Sequence, residues 1–234
     1  MFLLQCSLNE ELYSQIERIC LIFISENDLK IGDVLLGYTS SAIGKGHEEL
    51  NTGYVHASIY LGENEVAEAT MPNVQITTFK KAVEDYDHIA VLRQPDAWNE
   101  NNASRLKAFV QELIINQVKF NSKGIKGFKD NLKAQYISEQ ENLEKYFNGQ
   151  YQPKSPFKEK YFCSELVVSA YIAVGFISKS ASIIYNSEVI SPSSLGNDPT
   201  FGTFFGYIKP YEEYIIPEND QFMHRIPFYE IYDE

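Results

Sequence analysis

Apolar positions follow two periods along this chain. Leu12, Ile16, Ile19, Cys20 and Phe23 fall at offsets 0, 4, 7, 8 and 11 behind Asn9, a residue suited to an N-cap. That spacing is one stripe of a helix and predicts a helix over 8–25 packed on the main core. Leu106, Phe109, Val110, Leu113 and Ile114 repeat the pattern and predict an amphipathic helix over 101–116. A nearly continuous apolar run predicts a buried helix over 162–175, stopped by Gly175. Between 31 and 92 the texture changes. Val34-Leu35-Leu36, Ala57-Ser58-Ile59-Tyr60-Leu61, Val66-Ala67-Glu68-Ala69 and Ile89-Ala90-Val91-Leu92 are short runs of β-formers divided by turn residues. They predict an antiparallel sheet or small barrel, so the class is α+β, a sheet packed against helices.

Polar stretches interrupt this order. Residues 38–55 are rich in Gly, Ser and Thr, carry His47 and exceed an ordinary connector, which marks a substrate loop. Residues 121–160 hold a capping pattern, Ser138-Glu139-Gln140-Glu141, then Leu143, Tyr146, Phe147 and a Gly149 stop, and predict an insertion with at least one short helix. The tail, 201–234, mixes ten aromatics with prolines and charges. With no internal repeat, the 234 residues (26.8 kDa) read as a single domain, 1–234.

Charge and cysteine usage narrow the partners. Thirty-two acidic against 20 basic residues leave a formal net charge of −12. Such a chain repels phosphate backbones, which argues against nucleic acid as the main partner. No run approaches the roughly 18–20 apolar residues that cross a bilayer, so no transmembrane segment is expected. Cys6, Cys20 and Cys163 are odd in number and lack CxxC spacing, which speaks for a reducing compartment rather than a disulfide framework. The N-terminus has no basic region of the kind an export signal carries, and a cytoplasmic location is expected. Cys6 and Cys20 are read as small buried hydrophobes.

Cys163 opens the predicted helix of 162–175, where unpaired N–H groups and the helix dipole favour an anion. A thiolate at such a position is a nucleophile when a histidine cation stands beside it; the plainer reading is a half-buried cysteine at a helix start. His56 opens the strand His56-Ala57-Ser58-Ile59-Tyr60-Leu61, and Glu68 lies in the return strand beyond Gly62-Glu63-Asn64. A three-residue turn sets Ser58 opposite Glu68, so that Glu68 is diagonal to His56 on one face. A two-residue turn sends Glu68 to the other face unless a bulge intervenes. Taken alone, His56 reads as a satisfied histidine at a strand end, but a carboxylate in the apolar company of Val66, Ala67 and Ala69 demands a partner. His47, His88 and His224 lack this context and are expected at the surface, with His47 able to contact substrate. His56, Glu68 and Cys163 are metal-ligand types without any short ligand spacing, so neither metal nor other cofactor is expected.

The blocks Gly32-Asp33-Val34-Leu35-Leu36, His56-Ala57-Ser58-Ile59-Tyr60-Leu61-Gly62, Val66-Ala67-Glu68-Ala69 and Phe162-Cys163-Ser164-Glu165-Leu166-Val167 together resemble the circularly permuted, YiiX/YebB-like branch of the NlpC-type papain-like hydrolases. The histidine strand precedes the cysteine helix, the order of that branch, and Ile190-Ser191-Pro192-Ser193-Ser194-Leu195 resembles the segment that follows the cysteine helix there. The resemblance covers roughly residues 31–195. It implies a permuted papain-like fold with Cys163 as nucleophile, His56 as general base and Glu68 as the residue orienting His56. Asp33 matches only as the residue entering the first strand, and a turn carboxylate is the simpler reading. The implied activity is a cysteine hydrolase or acyltransferase that cuts an amide or ester bond through an acyl-enzyme, on a peptide-like or lipid-like substrate. The aromatic tail has two readings, the lining of an apolar pocket, which would favour lipid, and plain core, which is the commoner use of aromatics. The competing reading is a non-catalytic binding module of the same fold holding a lipid or peptide.

Overall fold

The computed structural model describes residues 3–6, 20–43, 53–209 and 211–231. In chain order its elements begin with strands β1 (Leu3–Cys6), β2 (Cys20–Phe23), β3 (Val34–Tyr38), β4 (Tyr54–Gly62), β5 (Glu65–Ala69) and β6 (Val74–Thr78). Helix α1 (Phe79–Val83), strand β7 (His88–Arg93), helix α2 (Glu100–Ile115), strand β8 (Lys119–Phe120) and the long helix α3 (Ser122–Phe147) follow. Strand β9 (Lys160–Tyr161) leads into α4 (Cys163–Val174), and α5 (Pro192–Asn197), β10 (Thr203–Ile208) and α6 (Phe228–Ile231) complete the described chain.

Eight strands form one sheet in the order β1-β2-β10-β7-β3-β4-β5-β6, and β8 pairs with β9 in a separate two-stranded ladder. Neighbours in the large sheet run antiparallel except β2 and β10, which meet in parallel at Phe23 and Tyr207. Among the described residues β1 lies at one edge and β6 at the other and the sheet is open, so the arrangement is α+β with no closed barrel.

Alternation within the strands explains why both faces are apolar. Val34 and Leu36 of β3, and Ala90 and Leu92 of β7, join the larger core under α2, α4 and α5. Leu35, Ile89 and Val91, the residues between, join a second core under α1 and α6. Such strands read as continuous apolar runs because neither face meets water. Helix α4 is buried almost all round and ends at Gly175, whose φ of 86° lets the chain turn out of the helix in the left-handed region.

Two expectations need correction, and a third is decided between its two readings. The helix predicted over 8–25 does not extend to its C-terminal end: Cys20–Phe23 is β2, while residues 7–19 lie outside the described chain. Ile22 enters one core and Leu21 and Phe23 the other, an alternation that a strand can make and a helical stripe cannot. The 121–160 stretch holds one 26-residue helix rather than a short one: α3 starts at Asn121, whose side chain accepts the Gly124 N–H at 2.9 Å, and runs through Ser138 to a stop at Asn148 and Gly149. Of the two readings of the tail, its described residues take plain core, and none of them lines the cavity at Cys163. The tail adds β10 to the sheet and buries Phe201, Phe204, Tyr207 and Phe222 in the larger core.

Asp33 is more than a turn residue. Its carboxylate caps the Lys30 N–H at 2.8 Å and also takes a two-point bond from Arg93, Nε to Oδ1 at 2.9 Å and Nη2 to Oδ2 at 2.6 Å. Both side chains are buried, and the Arg93 guanidinium lies 3.5 Å over the Phe205 ring. Asp33→Ala strands a buried guanidinium and is expected to cost about 3–5 kcal/mol in urea unfolding, whereas a surface ion pair would cost under about 1 kcal/mol.

Candidate active site

The site forms where β4, β5 and the first turn of α4 converge. Ser58 pairs with Glu68, Ile59 with Ala67 and Tyr60 with Val66, but Gly62 pairs with Glu65. The hairpin therefore combines a two-residue turn with a bulge at Leu61. Glu63 and Asn64, with φ of 53° and 64°, give the left-handed pair that a tight hairpin turn uses. The bulge restores the register that places Glu68 diagonal to His56 on one face. A second irregularity, at Val55, lies between the His56–Gly37 and Tyr54–Tyr38 pairs of β4 and β3. Bulges thus bracket the part of β4 that carries His56.

The His56 Nε2 atom lies 3.1 Å from Glu68 Oε2, and the two side chains are 12% and 10% exposed. The other Glu68 oxygen accepts the Gln75 Nε2 amide at 2.8 Å; Gln75 sits opposite Glu68 on β6. With Nε2 turned to the carboxylate, Nδ1 is the ring nitrogen left over, and His56 lies close enough to Cys163 for each to shift the other's pKa. Cys163 is the first residue of α4, 7% exposed, with Sγ 4.0 Å from the Val55 carbonyl oxygen.

Burial alone would push the His56 imidazolium toward neutrality; the bonds to Cys163 and Glu68 and their negative charges overcome it and hold the pKa up at about 9. Burial likewise opposes ionisation of the Cys163 thiol, but the His56 bond and charge and the N–H groups of Ala57 and Ser164 bring its pKa below the ordinary thiol value. The Glu68 carboxyl, despite burial, is held below its usual range by His56 and Gln75. The three groups together favour a thiolate, an imidazolium and a carboxylate.

Tyr86 stacks on the His56 ring with centroids 5.6 Å apart and planes at 9°. Burial and the nearby charges of Cys163 and Glu68 push its phenol pKa upward, so it packs as a neutral wall. The ring occupies the space over Gly37, where an added Cβ would meet it at 2.7 Å. At the start of α4, the Glu165 carboxylate accepts the Phe162 N–H at 3.2 Å and the Lys158 ammonium at 2.6 Å. Lys158 offsets a buried negative charge that would otherwise stand near the thiolate.

Beside Cys163 is an apolar cavity of about 230 Å³ lined by Ala42, Val55, Ile125, Phe128, Phe162, Ser164, Ser191 and Pro192. Ile125 and Phe128 come from α3, and Ser191 caps α5. Residues 44–52, with His47, lie outside the described chain. His224 is exposed as expected. His88 contradicts its expected surface position: it begins β7 and is fully buried, with Nε2 3.2 Å from Asp220 and 3.1 Å from the Tyr54 hydroxyl and Nδ1 3.2 Å from the Tyr214 hydroxyl. Its partners are far away in sequence, which hid them. Among the described residues, no group of three or more His, Cys, Asp or Glu is placed to hold a metal ion.

Gln75, Tyr86 and Lys158 escaped the reading of the sequence. Only Gln75 had a usable signal, a polar residue opposite Glu68 once the register of β5 and β6 is known.

The chain is similar to a protein of Escherichia coli strain K12 named probable lipoprotein peptidase YaeF, with 31% identity over 168 residues. The match covers 65% of this chain and 58% of that protein. No family model matches the chain, and no solved structure matches it.

Because the folded-state pKa of His56 is raised, its charge contributes fully to stability below its ordinary value of about 6.5. That contribution is lost as pH rises through about 9. NMR titration of the imidazole in Glu68→Gln should give a lower pKa than in the parent, since the imidazolium loses one of its two negative partners; an unchanged value would show that Glu68 does not hold the ring.

Proposed function

We propose that the protein is a cysteine-dependent hydrolase or acyltransferase that cuts an amide or ester bond through an acyl-enzyme, with Cys163 as nucleophile, His56 as acid and base, and Glu68 orienting His56. The observation that carries this reading is His56 bonded to Glu68 at 3.1 Å and electrostatically coupled to Cys163, with the sulfur at the wall of an apolar cavity. The relative's name, a probable lipoprotein peptidase, favours an amide in a peptide.

The Cys163 thiolate attacks the carbonyl carbon, forming the S–C bond and moving the carbonyl π electrons onto oxygen. N–H groups of the first turn of α4, which no helix satisfies internally, are suited to receive that oxyanion, Cys163 N–H among them. The His56 imidazolium gives its proton to the departing nitrogen or oxygen as the tetrahedral adduct collapses. Neutral His56 then takes a proton from water, or from another acceptor, as that group attacks the thioester and expels the thiolate. Glu68 keeps Nε2 engaged throughout, so that Nδ1 stays turned to the reacting atoms. Gln75 holds Glu68, and Tyr86 prevents the ring from swinging away.

A fluorescent iodoacetamide should label Cys163 in the parent at pH values where an ordinary thiol is still protonated, and Cys163→Ala should abolish that labelling and all hydrolysis of peptide and ester substrates. Hydrolysis should decline as pH rises through about 9, where His56 loses the proton the leaving group needs. Undiminished turnover in Cys163→Ala removes the proposal.

A further inference from the structure

Helix α3 carries two parallel stripes through its first half. Ile125, Phe128 and Leu132 follow the i, i+3, i+7 spacing of one helix side, and Lys126, Lys129 and Lys133 follow the same spacing one residue on. The apolar stripe faces the site: Ile125 and Phe128 line the cavity at Cys163. The lysines are exposed, and none is paired with a carboxylate among the described residues. From Lys119 to Lys133 the chain has five lysines and a single carboxylate, Asp130, in a protein whose formal charge is −12. A local excess of cations on so acidic a chain gives the molecule a directional field.

A second, independent feature lies at the same place. Val55 and Ile125, which line the cavity, are 38% and 44% exposed, and Ile43, next to the lining residue Ala42, is 43% exposed. Apolar side chains at the cavity rim beside a row of exposed ammonium groups match the two layers of a lipid surface, hydrocarbon below and anionic headgroups above. An acidic polypeptide would answer the lysines but leave the apolar rim in water.

We infer that the α3 face beside Cys163 docks on an anionic lipid surface, so that the site takes acyl or lipid-linked peptide substrates presented from that surface. The inference deepens the proposed activity and rests on it only in the identity of the bond attacked; docking itself requires no catalysis. The acidic remainder of the chain, repelled by the same surface, would point the lysine face inward. Ile43, Val55 and Ile125 would then enter the headgroup boundary. A lipid-attached substrate could pass its acyl chain or apolar neighbour into the cavity without crossing water.

The test is co-sedimentation with vesicles of equal parts phosphatidylglycerol and phosphatidylcholine, against vesicles of phosphatidylcholine alone. The protein should bind the anionic vesicles at low salt and release at about 0.5 M salt, where charges beyond a few ångströms are screened. The triple variant Lys126→Gln, Lys129→Gln, Lys133→Gln should lose affinity on the order of 100-fold. Cys163→Ala should bind as the parent does, and the triple variant should keep parental iodoacetamide reactivity at Cys163; these controls separate failure of docking from failure of the catalytic proposal. The lysines are exposed, so folding should survive, and an unchanged thermal midpoint checks it. Absence of binding to the anionic vesicles, equal binding to both vesicle types, full binding by the triple variant, or displacement from vesicles by soluble polyglutamate with retention of the polypeptide would each overturn the inference.

Discussion

The bulge at Leu61 decides which side of the sheet Glu68 occupies, and the candidate chemistry depends on that side. Strand side chains alternate, so a hairpin without the extra residue would send Glu68 to the opposite face from His56. A two-residue turn at Glu63 and Asn64 is the tight closure that a twisted hairpin prefers. The extra residue keeps that closure while shifting the register from Tyr60 onward. Local turn energetics and the needs of the site are thereby separated, and the strand bears the irregularity in a form that costs one unpaired position. The same device at Val55 adjusts the other end, where His56 meets the start of α4.

Burial sets the strength of the charge arrangement. Each of the three groups is enclosed, and enclosure by itself disfavours its ionised form. Mutual bonding reverses the preference, and it can do so because the same low dielectric that penalises a lone charge strengthens attraction between opposite ones. The arrangement therefore stands or falls as a unit. Glu165 shows the corresponding management of a charge that is not wanted in the exchange. It caps α4, where a negative group is favoured, and Lys158 offsets its charge from the far side.

His56, Glu68 and Cys163 could be picked out as candidates because each lies in a compact sequence block whose residue types are odd for their surroundings. A carboxylate between Ala67 and Ala69 or a cysteine at a helix start can be noticed without knowing the fold. Tyr86 could not be, since it lies in an acidic turn, Glu84-Asp85-Tyr86-Asp87, and reaches His56 only because Gly37 leaves it room. The N-terminal region misled for a different reason. Four apolar residues in a row, Cys20 to Phe23, suit a buried strand as well as a helix, and β10, nearly the whole chain away, decides between them. Within α3 the capping pattern at Ser138 is overridden because the helix is already propagating when it arrives, and continuing costs less than starting again.

The fold contains a second histidine–carboxylate pair, and the contrast explains why only one is assigned chemistry. His88 and Asp220 are more fully enclosed than His56 and Glu68, and their geometry is similar at 3.2 Å. What differs is the second ring nitrogen. In His88 it meets the Tyr214 hydroxyl, while Asp220 also accepts the Tyr54 and Tyr207 hydroxyls at 2.8 and 2.6 Å and the Phe222 N–H at 2.9 Å. Apart from the Asp220 carboxylate, every polar side-chain partner there is a tyrosine hydroxyl whose pKa burial raises, and the cluster is packed among the Tyr38, Tyr54 and Tyr207 rings. Such a network fastens the tail to β4, β7 and β10 and leaves no atom free to react. His56 instead lies beside a polarisable sulfur at a cavity wall, which is the access the proposed chemistry requires. Orientation by a carboxylate is common to the two pairs; access to a nucleophile belongs to one.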